Sequence, residues 1–260
     1  QELVNPQIHC TCEELFLMRK RFLIPLFYAC CASLFFATFG LNVFAADSAG
    51  TAATMSPIRH VFLIVLENKN FTDTFGPHSE APYLAKTLPA KGALLPQYYG
   101  TGHSSLDNYI AMMGGQANNP QTSSDCNIYA DFQQTDTAPD GQAVGKGCVY
   151  PASVKTLANQ LMDAGLNWKG YMEDMGNDPA RESSTCGHPA LNTRDQTEEA
   201  DAPSAAVTLG DMYATRHDPF MYFHSIIDSP VCNKNVVSLR GLKSDLRSIS
   251  TPPNFSFITP

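Results

Sequence analysis

Two places in the 260-residue chain combine residue types that could do chemistry. The first is Gly100-Thr101-Gly102-His103-Ser104-Ser105-Leu106-Asp107-Asn108-Tyr109. Its glycines allow a tight turn, and a histidine and two serines then lead into a helical pattern. A hydroxyl at a helix N-terminus faces backbone N–H groups and the positive end of the helix dipole. That setting binds anions and favours an alkoxide. Ser104 as an ordinary N-cap is the competing reading, and spacing alone does not separate the two. The second place is Glu67-Asn68, directly after the apolar run 58–66. A carboxylate beside an amide there could hold a divalent metal and a substrate oxygen; a polar loop start is the plain alternative. Glu173-Asp174 stand in the equivalent position after another apolar stretch, and His224 lies within Phe-Met-Tyr-Phe-His-Ser. A lone histidine in such a run is more often a satisfied core group than a ligand.

These residues need a scaffold that brings distant segments together. Apolar runs at 58–66, 93–99, 167–172, 220–226 and 255–258 read as five strands. The first is nearly unbroken and reads as a strand buried on both faces, as in a parallel sheet. Helical patterns fall at 105–113, at 154–162 with a stop at Gly165, at 209–216 and at 237–249. The alternation predicts an α/β domain with a mostly parallel central sheet flanked by helices. In such sheets ligands sit at the carboxyl ends of the strands, where Glu67 and Glu173 fall. Two polar stretches, 114–150 and 176–206, break the rhythm and read as loop excursions.

The chain carries 17 Lys plus Arg against 25 Asp plus Glu, a net charge of -8. An acidic chain gains little from a phosphate backbone, so nucleic acid is excluded as the main partner. A hydrophobic share of 43% excludes a wholly disordered chain. Met18-Arg19-Lys20-Arg21, the apolar stretch 22–39 and Val43-Phe44-Ala45 form a basic, apolar and small-residue series that reads as a secretory signal over 18–45. Residues 1–17 then precede the fold, 46–57 form a linker and 58–260 the domain. Pro25, Gly40 and Asn42 favour a cleaved signal over a membrane anchor, so export to the periplasm or medium of a bacterium is expected, without stable membrane insertion. Cys126, Cys148, Cys186 and Cys232 follow the signal. Two disulfides are expected, in sequential pairing, because each then closes a polar, loop-like region. A zinc site from all four lacks the CxxC spacing.

The segment 60–76, His-Val-Phe-Leu-Ile-Val-Leu-Glu-Asn-Lys-Asn-Phe-Thr-Asp-Thr-Phe-Gly, resembles the opening strand of the bacterial phosphoesterase family. That family joins secreted acid phosphatases and phospholipase C-type enzymes within the alkaline phosphatase superfamily. Gly-His-Ser-Ser-Leu-Asp-Asn-Tyr (102–109) is similar to the His-Pro-Ser-x-Pro-Asn-Tyr of the acid phosphatase branch, and 171–175, 218–226 and 254–260 fit the same branch. The resemblance implies an alkaline phosphatase-like fold and Ser105 as a nucleophile that passes through a phosphoserine. It implies a divalent metal ion on Glu67, Asn68 and Ser105, and Asn108 as donor to a phosphoryl oxygen. His103 or His224 would protonate the leaving alcohol or bind phosphate. The implied substrate is a small phosphate monoester; a phospholipid diester and an exported non-catalytic fragment are the alternatives. Ser104 and Asp107 stand where the family has prolines. The family's His-Asp-rich segment after the Phe-Ile-Thr-Pro strand does not occur before Pro260. The expectation is therefore a domain truncated at its C-terminus, with weak metal binding and poor turnover until extended.

Overall fold

The computed structural model describes residues 58–197 and 211–260; the upstream segment, signal and linker read from the sequence lie outside them. In chain order the main elements are β1 (Val61–Ile64), α1 (Phe71–Phe75), α2 (Ser105–Gly114), β2 (Gln133–Thr137), β3 (Ala143–Lys146), α3 (Leu157–Asp163), β4 (Trp168–Met172), α4 (His224–Ile227), α5 (Val231–Asn235), β5 (Val236–Ser238), α6 (Leu242–Asp245) and β6 (Phe255–Thr259). Four strands form one sheet in the order β1-β6-β4-β5, and every neighbouring pair is parallel. β2 and β3 make a separate antiparallel hairpin. The α/β class with a parallel central sheet flanked by helices is the one the sequence predicts.

The centre of the sheet explains why aromatic residues recur in its strands. β4 and β6 lie between other strands and bury Trp168, Tyr171, Met172, Phe255, Phe257 and Ile258. Trp168 stacks on Phe220 with ring centroids 4.5 Å apart, and Phe220 meets Phe257 edge-on at 5.6 Å. Gly170 makes room for this: a Cβ there would lie 2.8 Å from the Phe220 ring. β1 is different. It is an outer strand, and Val61, Phe62 and Ile64 remain 48%, 41% and 56% exposed while Leu63 packs on the core. The expectation of a first strand buried on both faces is thereby corrected; its apolar run signals strand but not position in the sheet.

Other elements also differ from expectation. Residues 93–99 form no strand; Pro96 has no N–H to offer a ladder, and Tyr98 and Tyr99 are exposed. The run 220–226 is a 3-10 turn at Pro219–Tyr222 followed by α4. Pro219 presets the turn and the Asp218 carboxylate caps it by accepting from the Phe220 N–H at 3.2 Å. A short, fully buried apolar run does not distinguish turn, helix and strand by periodicity. The 237–249 pattern divides, with the β-branched pair Val236-Val237 pairing beside β4, a 3-10 turn at Leu239–Gly241 and an α-helix only at Leu242–Asp245. Over 211–217 the only helical piece is the 3-10 turn Thr215–His217. The 114–150 excursion contains the β2–β3 hairpin. Cys126 is bonded to Cys148 and Cys186 to Cys232, the sequential pairing.

Asp218 is fully buried, and its Oδ2 has no hydrogen-bond partner. Burial pushes its carboxyl up to about 8, against the pull of the Phe220 N–H toward the charged form. The folded protein thus holds a proton that the unfolded chain releases near pH 4. Stability from this group is full below about pH 4 and is lost as pH rises through about 8. Asp218→Asn keeps the cap oxygen without the charge. In melting curves from about pH 5 to about pH 8 the parent is expected to lose Tm relative to this variant. Parallel curves would show that Asp218 does not titrate in that window.

Candidate active site

The carboxyl ends of the parallel strands open into a cleft of about 270 Å³. Its lining comes from the end of β1 (Val65 to Asn68), from β4 (Met172, Glu173), from β6 (Thr259) and from the segment 212–217, with Tyr109 of α2. This is the position at which open α/β sheets bind ligands.

Ser105 is joined to this cleft through Glu67 and His217. Its Oγ donates toward the Glu67 carboxylate, 3.3 Å from Oε2 and 3.4 Å from Oε1, and lies 3.1 Å from His217 Nε2. The same Nε2 is 2.8 Å from Glu67 Oε1. One ring nitrogen therefore faces both partners, so this is not a relay in which the two nitrogens of a histidine link a carboxylate to a serine. A lone pair on Nε2 would face the carboxylate, so Nε2 is the protonated nitrogen and donates to Glu67. Glu67 is then the acceptor for the Ser105 proton. Burial acts to raise the Glu67 carboxyl, but the His217 hydrogen bond and charge, the Ser105 hydroxyl and the charge of Arg216 hold it below the ordinary carboxylate value.

Local structure places each of these groups. Ser105 is the first residue of α2, and the loop before it is clamped by Asn108. The Asn108 Oδ1 accepts from the Thr101 N–H at 2.7 Å and the Gly102 N–H at 3.3 Å, while Nδ2 donates to the Ser104 carbonyl at 2.6 Å, the Gly102 carbonyl at 3.2 Å and Asp107 Oδ1 at 2.9 Å. Only glycine fits this clamp at position 102, where a Cβ would lie 1.8 Å from Asp107 Oδ2. The helix start is capped from outside: the Leu106 N–H donates to Asp125 Oδ1 at 2.9 Å. Ser104 is not a side-chain cap, because its hydroxyl donates to the Ser123 carbonyl at 2.7 Å. His217 ends the Thr215–His217 turn, which is tied by the Thr215 N–H to Thr197 Oγ1 at 2.8 Å and by the Thr259 hydroxyl to the His217 carbonyl at 3.1 Å. Its ring stacks on Tyr109, with centroids 5.4 Å apart.

Of the residues singled out in the sequence, Glu67, Asn68 and Ser105 come together. Asn68 lines the cleft, at φ 61, and its Nδ2 donates to Glu67 Oε1 at 3.4 Å. Asn108 holds the loop, with its donors on Gly102, Ser104 and Asp107 instead of on the cleft. His103 is exposed on the loop. His224 sits in another cluster, with Nε2 3.1 Å from Asp131 and Nδ1 2.8 Å from Asp228. Glu173 lines the cleft, whereas Asp174 accepts from the Met212 N–H at 3.1 Å and fixes the segment leading to His217. The histidine that meets Ser105 is His217, which sequence reading passed over. Its one signal is its place directly before the helix-starting Asp218-Pro219.

Among the described residues no group of three or more His, Cys, Asp or Glu side chains is placed to hold a metal. Around Ser105 the oxygen donors are the Glu67 carboxylate and the hydroxyl itself, with the Asn68 amide beside Glu67, while His217 Nε2 is a proton donor and not a ligand. Oxygen donors of this kind suit a divalent cation as part of a coordination sphere, with one full negative charge among them.

Residues 78–227, more than half of the chain, match the model of the phosphoesterase family. The chain belongs to the phosphoesterase family. The matched stretch contains both Ser105 and His217. Similar curated phosphoesterase relatives include a probable acid phosphatase of Kluyveromyces lactis, 22% identical over 78% of this chain and 37% of its own. A phosphatidylinositol-3-phosphatase of Mycobacterium tuberculosis is 28% identical over 55% of this chain and 39% of its own. A phosphate-repressible acid phosphatase of Penicillium chrysogenum is 25% identical over 81% of this chain and 41% of its own. The chain thus spans about two fifths of the length of these relatives. They come from two fungi and a bacterium, so the likeness does not mark this family member as bacterial. No solved structure matches the chain.

Proposed function

We propose that the protein hydrolyses phosphate monoesters, as an exported acid phosphatase-like enzyme with Ser105 as nucleophile. The observation that carries this reading is the contact of the Ser105 hydroxyl with Glu67 and His217 at the helix N-terminus, beside the cleft above the sheet. Glu67 accepts the Ser105 proton as Oγ forms its bond to phosphorus and the ester P–O bond breaks, the alcohol leaving with a proton taken from solvent. His217, with Nε2 protonated, supplies a donor next to the reacting oxygen. Water then attacks the phosphoserine phosphorus, Oγ leaves and takes back the proton from Glu67, and phosphate is released. A divalent cation, held by Glu67, Asn68 and Ser105, would supply fixed positive charge for the phosphoryl oxygens when bound. Two disulfides and the signal-like segment 18–45 support export, and among the described residues no helix is long and apolar enough to cross a membrane.

A lipid phosphate is the second reading. A larger pocket of about 820 Å³ shares Leu66 and Glu67 with the cleft and is lined by Ile64, Phe71, Phe75 and Leu84 together with Lys69, Asp73, His78 and Glu80. An apolar alcohol bearing the phosphate would have a place to lie there. Phosphate release from p-nitrophenyl phosphate, from its phosphocholine diester and from short-chain phosphatidylinositol 3-phosphate separates the readings. Turnover of the first with little of the others supports the small monoester. Preference for the lipid favours the second reading. Turnover of none, with and without added divalent cation, contradicts both.

A further inference from the structure

We propose that the Tyr109 hydroxyl is a hydrogen-bond donor to a non-bridging phosphoryl oxygen in the cleft, an inference that rests on the phosphoester reading above. Tyr109 follows Ser105 by four residues on α2, so both lie on one face of that helix. The side chain is 2% exposed and lines the cleft, yet Oη has no hydrogen-bond partner. A buried phenol left unpaired carries its desolvation cost uncompensated, so an orphan of this kind at a cleft points to a partner that arrives from outside the chain. Among the described residues, Tyr109 is the cleft-lining residue with such an orphaned atom.

Two donors close to Ser105 in sequence are already committed. The Leu106 N–H is held by Asp125, and the Asn108 amide is held by the loop backbone and Asp107. A phosphoryl group attacked by Ser105 presents three non-bridging oxygens, more than His217 Nε2 can serve, and a phenol one helical turn along from Ser105 is placed to serve another. A neutral O–H also suits the position, because burial and the nearby Glu67 charge both keep the phenol protonated. The oxygen is covered in the free protein, so the contact requires a shift of side chains that pack on Tyr109, which include the stacked His217 ring. Entry of a phosphoryl group between Ser105 and His217 would supply that shift.

Tyr109→Phe removes the oxygen and keeps the ring that supports His217. The test measures binding of inorganic phosphate to the parent and to this variant by calorimetry, alongside melting temperature and p-nitrophenyl phosphate turnover, with and without added divalent cation. The expected result is a melting temperature equal to or above the parent's, with phosphate affinity and kcat/KM each reduced about tenfold or more. Equal phosphate affinity in the two proteins overturns the inference and leaves the phosphoester reading intact. Phosphate binding that depends on Tyr109 in a protein with no turnover sustains the inference and contradicts the enzymatic reading. Absence of phosphate binding by the parent overturns the inference. Should Tyr109→Phe not fold, Tyr109→Met carries the same comparison.

Discussion

Alanine at position 105 is expected to lower phosphate release by at least about a thousandfold while the melting temperature stays close to that of the parent. The reason is geometric. Ser105 Oγ is the hydroxyl in contact with both Glu67 and His217, and no redundancy is offered by its neighbour. Ser104 points its hydroxyl to the Ser123 carbonyl, 19 residues on in the chain, and serves loop geometry. Ser104→Ala should therefore cost no more than about tenfold, through a loosened loop. The paired measurement is kcat for both variants with one substrate preparation, with folding checked by circular dichroism. A collapse in Ser104→Ala with survival of Ser105→Ala would place the nucleophile one residue earlier. Glu67→Gln completes the series: it keeps the size and removes the proton acceptor, and is expected to lower kcat by about a hundredfold or more.

The largest expected effect on stability lies away from the cleft, at Arg181. Its side chain is 1% exposed, with Nε 2.5 Å from Glu182 and a terminal nitrogen 3.0 Å from Asp211, both themselves buried. Glu182 also accepts from the Gly176 N–H at 2.9 Å, so the cluster ties the turn after β4 to the segment that leads to His217. Arg181→Met leaves two buried carboxylates without their cation, a loss of about 3–5 kcal/mol. In a domain of this size that is a Tm drop on the order of 10 °C. Burial already raises the Glu182 carboxyl, with Arg181 pulling against it, so without Arg181 that carboxyl moves up further. Replacing all three residues with apolar ones of similar volume is expected to recover most of the loss, since a buried ion pair gives little net stability over good packing. A melting temperature unchanged in Arg181→Met would show that the carboxylates find water or other partners.

The parts of the fold legible in the sequence are those whose signal is local. β4 and β6 are compact apolar runs closed by polar residues, α3 carries its own start and stop signals, and α2 carries its own stop at Gly115. For α3 the start is a capping box between Thr156 and Asn159, and Gly165 follows its end at φ 72. What was not legible depends on partners distant in the chain. Phe220 to Phe223 pack as a turn because Trp168 and Phe257 approach from the sheet, and no period within the run records this. Val236-Val237 become a strand because β4 is beside them. The site divides in the same way. Glu67 and Ser105 sit at motif positions, but the Asn108 clamp and the arrival of His217, 112 residues after Ser105, are tertiary facts. The sequence offered two other histidines nearer to visible motifs, and neither meets Ser105 in the structure.

Asp125, the external cap of α2, is the chain neighbour of Cys126, and both residues adopt left-handed backbone, at φ 55 and 54. Non-glycine residues resist that conformation, and two in succession need an external restraint. The Cys126–Cys148 bond closes a separation of 22 residues and withdraws about 3 kcal/mol of chain freedom from the unfolded state. With both thiols reduced, the carboxylate is less firmly delivered to the Leu106 N–H, and the first turn of α2 frays at Ser105. The seating of Ser105 is then coupled to the redox state of its surroundings. A chain in a reducing compartment would carry a complete sheet with a loosely seated serine, and oxidation would seat it.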